Sequence, residues 1–481
     1  MNLTNDFSDR LSPIVVKELR QDLRGKGFLI LFITLQIILS LILLLTATLS
    51  SSSQDTGTHI SQLIFFCFSF CLLIVQPLRG CNGISSELKA KTLDMLQLTR
   101  MSAWSIVFGK WISLVAQSLL IASAILPYLI MRYFFGNMQI LPELTLLMTI
   151  LVFSGFFSAI TVGLSATPSI LLRGIIPLIG SMFVFISIAG AFSNSYSFNN
   201  IIEQLTFTDS DFTAVFIAII AGSLYTSWLM LEIATSIIAP LAENRDTIKR
   251  VIGFIAAVIV SISLMFANTS PEAIIMGTMA VITPLFVSAL IRTHQLVPSI
   301  CKPFVKRGRI GQLAGRLLYP GWATGTFYCT IIGLLLLPVM ITICSLSNSS
   351  YGFQPEDLSA FIAYFGILIF PAAITQLFFK KYKNLFTVYL LIFCIHWGFM
   401  ILLGIMAATT SDDVLLLFCW LPVGALALSF DNTVSDSSQL VISCLVTGTY
   451  LIILWFKSIP AWKHIREVES VALKQIANSA D

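Results

Sequence analysis

Three charged side chains, Glu87, Lys91 and Asp94, follow one another at i, i+4 and i+7 in an otherwise apolar chain. On a helix this spacing places them on one face and allows an attractive pair between Glu87 and Lys91. The apolar surface of the same helix would be formed by Leu88, Leu93, Met95, Leu96 and Leu98. A helix of this kind lies along a membrane surface or docks in a groove of a partner protein.

Residue patterns that support catalysis or nucleotide binding are absent from the sequence. No G-x-x-x-x-G-K-[ST] stretch is present to hold nucleotide phosphates, and no Ser–His–Asp arrangement or paired carboxylate cluster occurs. The 9 cysteines are scattered, mostly in apolar runs, and lack zinc-ligand spacing, which is typical of small buried side chains. We therefore predict no catalytic residue, no cofactor and no metal on this chain.

The composition is that of a membrane protein. Hydrophobic residues make up 57% of the 481 residues and charged residues only 11%, with a mean hydropathy of +0.90. Soluble domains carry about a quarter charged residues. The apolar runs reach the roughly 20 residues of a membrane helix and lack the alternation of membrane strands. We predict an all-α polytopic membrane protein with about 12 transmembrane helices. The predicted spans are 28–48, 60–77, 106–130, 143–165, 175–193, 213–239, 251–268, 273–291, 321–345, 359–378, 385–408 and 440–456.

The distribution of basic residues sets the expected topology. With the N-terminus inside, every Lys and Arg except Arg132 falls in an inner loop or tail. We therefore expect cytoplasmic termini and a multi-pass membrane protein. A further apolar piece, 414–430, is short, contains Pro422 and Gly424, and is flanked by acidic residues. It is predicted to be an outer re-entrant segment, with a thirteenth span as the alternative.

Two stretches resemble the permease subunits of type-2 ABC exporters. ISSELKAKTLDMLQLTRMSAWSIVFGKW, residues 84–111, is similar to the family segment that follows its second span, with a Glu, a Thr–Leu pair, spaced leucines and a closing Gly–Lys. SPIVVKELRQDLRGKGF, residues 12–28, resembles the N-terminal elbow pattern NP-x-x-x-KEL-x-x-x-x-R. Ser12 stands where Asn is commoner, and Arg100 where Pro is frequent.

The resemblance implies a coupling helix at 84–99, which seats in a groove of a partner ATP-binding-cassette ATPase, and an elbow helix at 8–26. ATP and Mg would then bind to the partner, and hydrolysis would occur there. The residues expected to couple to the ATPase are Glu87, Leu88, Lys91, Thr92, Leu93, Asp94, Met95, Leu96, Leu98 and Thr99. Those expected in the elbow helix are Lys17, Glu18, Arg20 and Arg24.

Six spans make one half in this family, so the chain is interpreted as two diverged six-span halves, 1–250 and 251–481. The second half would carry a basic inner loop at 292–320 and a cytoplasmic tail at 457–481. The loop has no acidic residue, which favours contact with anionic lipid headgroups, and it shows no nucleic-acid-binding module. Contact of this loop with the ATPase stays open. A homodimer or a second permease chain is the alternative to one chain that supplies both halves.

The function that the resemblance implies is that of the membrane-spanning permease subunit of an ATP-driven exporter, a multi-pass protein of the bacterial cytoplasmic (inner) membrane. A twelve-span secondary carrier and a non-transporting membrane scaffold with a permease-like fold remain as alternatives. Ionisable groups inside a membrane are functional candidates, and here they are Glu232 and His396, the latter expected to be neutral with one donated hydrogen bond. So few buried carboxylates argue against a proton-coupled carrier. The largely apolar spans favour a lipid-like or amphipathic cargo.

Overall fold

Most of the residues that the structure describes are helical. The structure is a computed structural model, which describes residues 13–49, 56–90, 101–134, 136, 139–240, 243–267, 269–292, 296–346, 354–382, 384–409, 413–430 and 434–478. These residues contain no strand, and 12 of their helices are long and apolar enough to cross a membrane. The prediction of an all-α polytopic membrane protein is confirmed.

The helices form two compact units, Met1–Ala239 and Pro240–Asp481. Each unit contains half of the 12 candidate spans. The sequence analysis placed the division at residue 250, whereas the boundary along the chain lies between Ala239 and Pro240, before the first helix of the second unit. That the units are two permease halves stays a prediction.

The first unit contains ten α-helices in its described residues. They are α1 (Pro13–Leu23), α2 (Lys26–Leu49), α3 (Thr56–Phe70), α4 (Gln76–Leu78), α5 (Gly83–Ala90), α6 (Ala103–Tyr133), α7 (Ile140–Ser165), α8 (Ile176–Phe192), α9 (Ser195–Gln204) and α10 (Ser210–Ile238). A π-helical segment, Cys71–Val75, and a 3-10 turn, Arg79–Asn82, join α3, α4 and α5 into one long span. A second π-helical segment, Leu171–Ile175, leads into α8. Such segments mark places where a helix departs from regular hydrogen bonding, often at functional sites.

Close backbone approach holds α7 against α10. A Cβ atom added at Gly163 would lie 2.8 Å from the carbonyl oxygen of Met230, so only glycine permits this contact. Small residues at helix interfaces are the usual means of packing in lipid, where apolar side chains gain little by leaving the hydrocarbon. The α7–α10 contact therefore depends on residue size more than on hydrophobicity.

The second unit also contains ten α-helices in its described residues. They are α11 (Asp246–Phe266), α12 (Pro271–Ile291), α13 (Pro298–Val305), α14 (Gly308–Leu318), α15 (Trp322–Leu346), α16 (Pro355–Phe378), α17 (Leu385–Thr409), α18 (Asp413–Leu417), α19 (Pro422–Leu428) and α20 (Asp436–Ala477). The apolar piece 414–430 is thus two short helices joined by a turn. Val423 and Leu428 of α19 are fully buried within this unit. The described part of this piece forms no thirteenth span.

The last helix is much longer than a membrane is thick. The 42 residues of α20 extend roughly 60 Å, about twice the hydrocarbon thickness. Its C-terminal part packs Ile465, Val468 and Ala472 against Ile300 and Cys301 of α13. The predicted tail therefore continues the last span as a helix and covers part of the basic loop.

Candidate functional site

A buried ion cluster lies where α1, α5 and α6 meet. The Nζ atom of Lys110 lies 3.1 Å from Glu18 Oε1 and 2.8 Å from Glu87 Oε1. The side chains of Lys110, Glu18 and Glu87 are only 8%, 11% and 14% exposed. Lys17, which is exposed, lies 3.7 Å from the same Glu18 oxygen. One buried ammonium group thus joins α1 and α5 to the third candidate span.

The glycine before Lys110 makes this arrangement possible. A Cβ atom at Gly109 would lie 2.5 Å from Ile14 Cγ2, well inside van der Waals contact. Helix α1 therefore rests directly on the backbone of α6, which brings Glu18 within reach of Lys110. Within the Gly–Lys pair near the end of residues 84–111, Gly109 therefore permits the close approach of α1, and Lys110 binds Glu18 and Glu87.

A second polar layer lies one helical turn farther along α1 and α6. Asp22 accepts hydrogen bonds from Ser113 Oγ at 3.0 Å and Gln117 Nε2 at 3.1 Å. Gln117 Oε1 in turn accepts from Gln76 Nε2 at 3.2 Å and from Arg79. Buried polar groups are costly without partners, so these bonds allow polar residues within otherwise apolar spans. The layer links α1 and α6 to α4 and the 3-10 turn after it.

Helix α5 also forms hydrogen bonds to α7 and to the segment before α8. The backbone N–H of Ile84 donates to Ser165 Oγ at 3.2 Å, at the end of α7. The Arg173 guanidinium, in the π-helical segment before α8, donates to Ser85 Oγ. Helix α5 is therefore fixed to α1, α6, α7 and the start of the fifth span, and we call it the root of the family-like segment.

The root contains only part of the predicted coupling helix. Glu87 contacts Lys110, and Leu88 is 42% exposed. The other predicted coupling residues, which lie outside the described residues, are Lys91, Thr92, Leu93, Asp94, Met95, Leu96, Leu98 and Thr99. The sequence analysis expected Glu87 to present its charge to a partner, but its contact with Lys110 is within the chain.

Among the predicted elbow residues, the structure separates one buried side chain from three exposed ones. Glu18 is buried, whereas Lys17, Arg20 and Arg24 are exposed. Only Glu18 takes part in the ion cluster as a buried member. Exposed basic side chains suit the headgroup region if α1 lies on the inner leaflet as predicted.

Neither of the two intramembrane candidates, Glu232 and His396, takes part in the contacts that define the ion cluster. Glu232, near the end of α10, is 2% exposed. His396, in α17 of the second unit, is 5% exposed and stacks on Phe370 with ring centroids 4.6 Å apart. Its Nε2 has no hydrogen-bond partner among the described residues. The hydrogen bond expected of His396 is therefore not found at this nitrogen.

The second unit has an ion cluster of the opposite charge balance. Asp246, in the first turn of α11, contacts Lys249 Nζ at 2.7 Å and Arg292 Nε at 2.9 Å. Arg250 is 2% exposed and donates to the carbonyl oxygen of Leu317 at 2.8 Å. One carboxylate thus contacts two basic side chains, and Arg250 fixes the end of α14 to α11.

Sequence reasoning missed the members of the second polar layer. Gln76, Arg79 and Gln117 interrupt or adjoin apolar runs, and Asp22 lies four residues after Glu18 on the elbow helix. Polar side chains within spans usually face the protein interior, so this was a usable signal. It indicates that these residues are buried, without indicating which of them meet.

Comparison with protein-family models, with curated proteins and with solved structures finds no match. The likeness to type-2 ABC permeases therefore rests on the motif residues themselves. Three of those residues, Glu18, Glu87 and Lys110, come from separate parts of the two stretches and meet in one cluster.

Proposed function

We propose that this chain is the membrane-spanning permease subunit of an ATP-driven exporter in a bacterial cytoplasmic membrane. A separate cytoplasmic ATPase would bind ATP and Mg and would hold the segment 84–99. The observation that supports this most is the Lys110 bridge between Glu18 and Glu87. It joins the two stretches that resemble the family at one buried point.

The contacts of the root support a route for mechanical coupling. Force applied to residues beyond Ala90 would act first on α5, which is continuous with the second span. Glu87 would transmit the movement to α6 and α1, and Ser85 would transmit it to the fifth span through Arg173. Coupling between distant sites travels through contiguous contacts with more than one stable arrangement. The π-helical segments in the second and fifth spans are natural places for such rearrangement.

The second unit supports an additional role for membrane lipids. On α14, Ile310 and Leu313 share one face and are 86% and 64% exposed. Lys306 and Arg307 directly precede α14, Arg309 is in its first turn, and all three are exposed. An amphipathic basic helix of this kind suits the headgroup region of an anionic leaflet. We propose that α14 rests there.

Co-purification tests the proposed partner. The tagged full chain would be extracted from native membranes in mild detergents and its companions identified by mass spectrometry. Wild type should bring down an ATP-binding-cassette subunit, and Leu96→Asp should lose it. Leu473→Asp is the matched control, because Leu473 is an exposed leucine of α20 at 46% exposure. If wild type brings down no such ATPase in any detergent, a secondary carrier or a scaffold is the better description.

A second variant separates binding from coupling. Lys110→Met changes a side chain that is 8% exposed, so it should leave the ATPase bound while it breaks the link from α5 to α6. We expect the variant complex to hydrolyse ATP at a basal rate that lipid-like or amphipathic cargo does not raise. In the wild-type complex, the same cargo should raise the rate. Equal stimulation in both would refute the proposed route through Lys110.

A further inference from the structure

A cavity of about 590 Å³ lies within the second unit, between α12, α16, α17 and α19. Its volume is within the range of small-molecule sites, about 300–1,000 Å³. It lies at the ends of α12 and α16 that the distribution of basic residues predicts to face outward. None of the contacts proposed for ATPase coupling involves this part of the molecule.

The walls of the cavity are aromatic and thioether side chains. Met276, Met279 and Met400 line it together with Tyr364 and Trp397. Methionine is flexible and polarisable, so it adapts to ligands of different shape. The faces of tyrosine and tryptophan rings attract cations.

The position of the aromatic pair is fixed by its neighbours. The Tyr364 hydroxyl lies 3.1 Å from Thr283 Oγ1, and the Tyr364 and Trp397 rings meet at 63° with centroids 6.1 Å apart. These contacts hold the two rings, which both line the cavity, in place before a ligand binds. A preorganised site loses less entropy on binding.

Carboxylates line the same cavity, and the described lining includes no Lys or Arg. Glu272 is in the first turn of α12, and Glu356 and Asp357 are in the first turn of α16. Helix N-termini favour acidic residues, and Asp357 accepts a hydrogen bond from the Gln354 backbone N–H at 2.9 Å. That preference explains each residue by itself. It does not explain why carboxylates of two different helices line one apolar cavity whose described lining includes no basic side chain.

We propose that this cavity binds an amphipathic organic cation, with its apolar groups among the methionines and its charge between Trp397 and the carboxylates. Aromatic walls alone would accept a neutral or anionic apolar ligand as well. The carboxylates give the site its preference for positive charge. This inference goes beyond the proposed function, since such a site would stand whatever drives transport.

Binding to the full chain in phosphatidylcholine nanodiscs tests the proposal. The probe is radiolabelled tetraphenylphosphonium, and the competitor is tetraphenylborate, an anion of nearly the same size and shape. Empty nanodiscs correct for partition into lipid. We expect saturable binding of one probe per chain, displaced by unlabelled cation and unaffected by the anion. Absence of saturable binding, or equal competition by the anion, would overturn the proposal.

Variants locate the site. Glu272→Gln with Glu356→Gln should weaken binding about tenfold, and Trp397→Leu about fivefold, whereas Trp397→Phe should recover most of that loss. Glu203→Gln is the matched control, because Glu203 lines a separate cavity in the first unit. Single Glu272→Gln changes an exposed side chain, so it tests the charge even if the double variant folds poorly. Unchanged affinity in Glu272→Gln and in Trp397→Leu would refute the assigned site.

Discussion

Replacement of Lys110 by methionine is the most direct test of the ion cluster. Methionine preserves the length and the apolar part of the side chain but removes the ammonium group that Glu18 and Glu87 share. The two carboxylates would then lie buried, close together and without their common partner. We expect the first unit to lose stability, and we expect the loss to depend on those two carboxylates.

The size of the effect follows from burial and distance. The three side chains are 8%, 11% and 14% exposed, so solvent screens them poorly. At contacts of 3.1 and 2.8 Å each pair attracts by roughly 5 kcal/mol at an effective dielectric constant near 20. Desolvation offsets much of that attraction. Removing one partner from a buried ion pair costs about 3–5 kcal/mol, because the remaining charge is left uncompensated. The first unit should therefore lose about this amount.

The assay is equilibrium unfolding in mixed dodecyl sulfate micelles, followed by tryptophan fluorescence. Trp111 is a useful reporter because it is adjacent to Lys110 and its Nε1 donates to Gly155 at 2.9 Å. Lys110→Met combined with Glu18→Gln and Glu87→Gln should regain at least half of the loss. Lys474→Met, at an exposed lysine of α20, should have little effect. If Lys110→Met unfolds like wild type, or if the carboxylate changes give no recovery, the cluster does not stabilise the unit.

Three further predictions concern packing, pH and lipid. Gly109→Val should destabilise the first unit by about 1–3 kcal/mol in the same assay, because its side chain would overlap Ile14. Addition of Ile14→Ala should recover part of this loss, and an unaffected Gly109→Val would contradict the close contact. Burial raises the pKa of the Cys301 thiol from 9.0 to about 11, so folding favours its neutral form. The contribution of Cys301 to the stability of the second unit should be full below pH 9 and should fall by up to about 2–3 kcal/mol between pH 9 and 11, so Cys301→Ala should make the alkaline loss of stability smaller by about this amount. A fluorophore on Leu313→Cys should be quenched by headgroup-labelled nitroxide lipid, whereas one on Leu473→Cys should not, and equal quenching would place α14 away from the lipid.

The spans themselves could be predicted from the sequence with good accuracy. The run predicted at 28–48 is Lys26–Leu49 in the structure, and the run predicted at 385–408 is Leu385–Thr409. Lipid imposes both the length and the apolar composition of a spanning helix, so hydropathy carries nearly all of the signal. The same constraint indicated that 414–430, which is interrupted by Pro422, would not be a span.

Hydropathy failed where a helix continues beyond the apolar run. The second span was predicted to end at residue 77 but continues to Ala90, because Gln76 and Arg79 find hydrogen-bond partners on α6. The last span was predicted to end at residue 456 but continues to Ala477. There an amphipathic stretch packs on α13 outside the apolar run. Both extensions depend on tertiary contacts that no window along the sequence reports.

The candidate site was predictable in part. The motifs selected Glu18 and Glu87 and included Lys110 in the Gly–Lys pair, but they gave no reason for these residues to meet. Their meeting depends on Gly109, which permits α1 to approach α6, and such an approach is a property of two helices. Residue spacing within one stretch cannot report it.

The two ion clusters have opposite charge balances, and the segments beside them help to predict which unit an ATPase would bind. In the first unit, acidic Glu87 anchors a short root, and the predicted coupling residues follow it directly. In the second unit, residues 298–318 form α13 and α14. Helix α13 packs on α20, and Arg316 of α14 binds Glu469 of α20 through two nitrogens, at 3.2 and 2.8 Å. This loop already has a partner within its own unit, and its exposed face is basic and apolar, as a lipid surface requires. We therefore expect changes in 84–99 to release the ATPase, and changes on the exposed face of α14 to alter lipid contact while the ATPase stays bound.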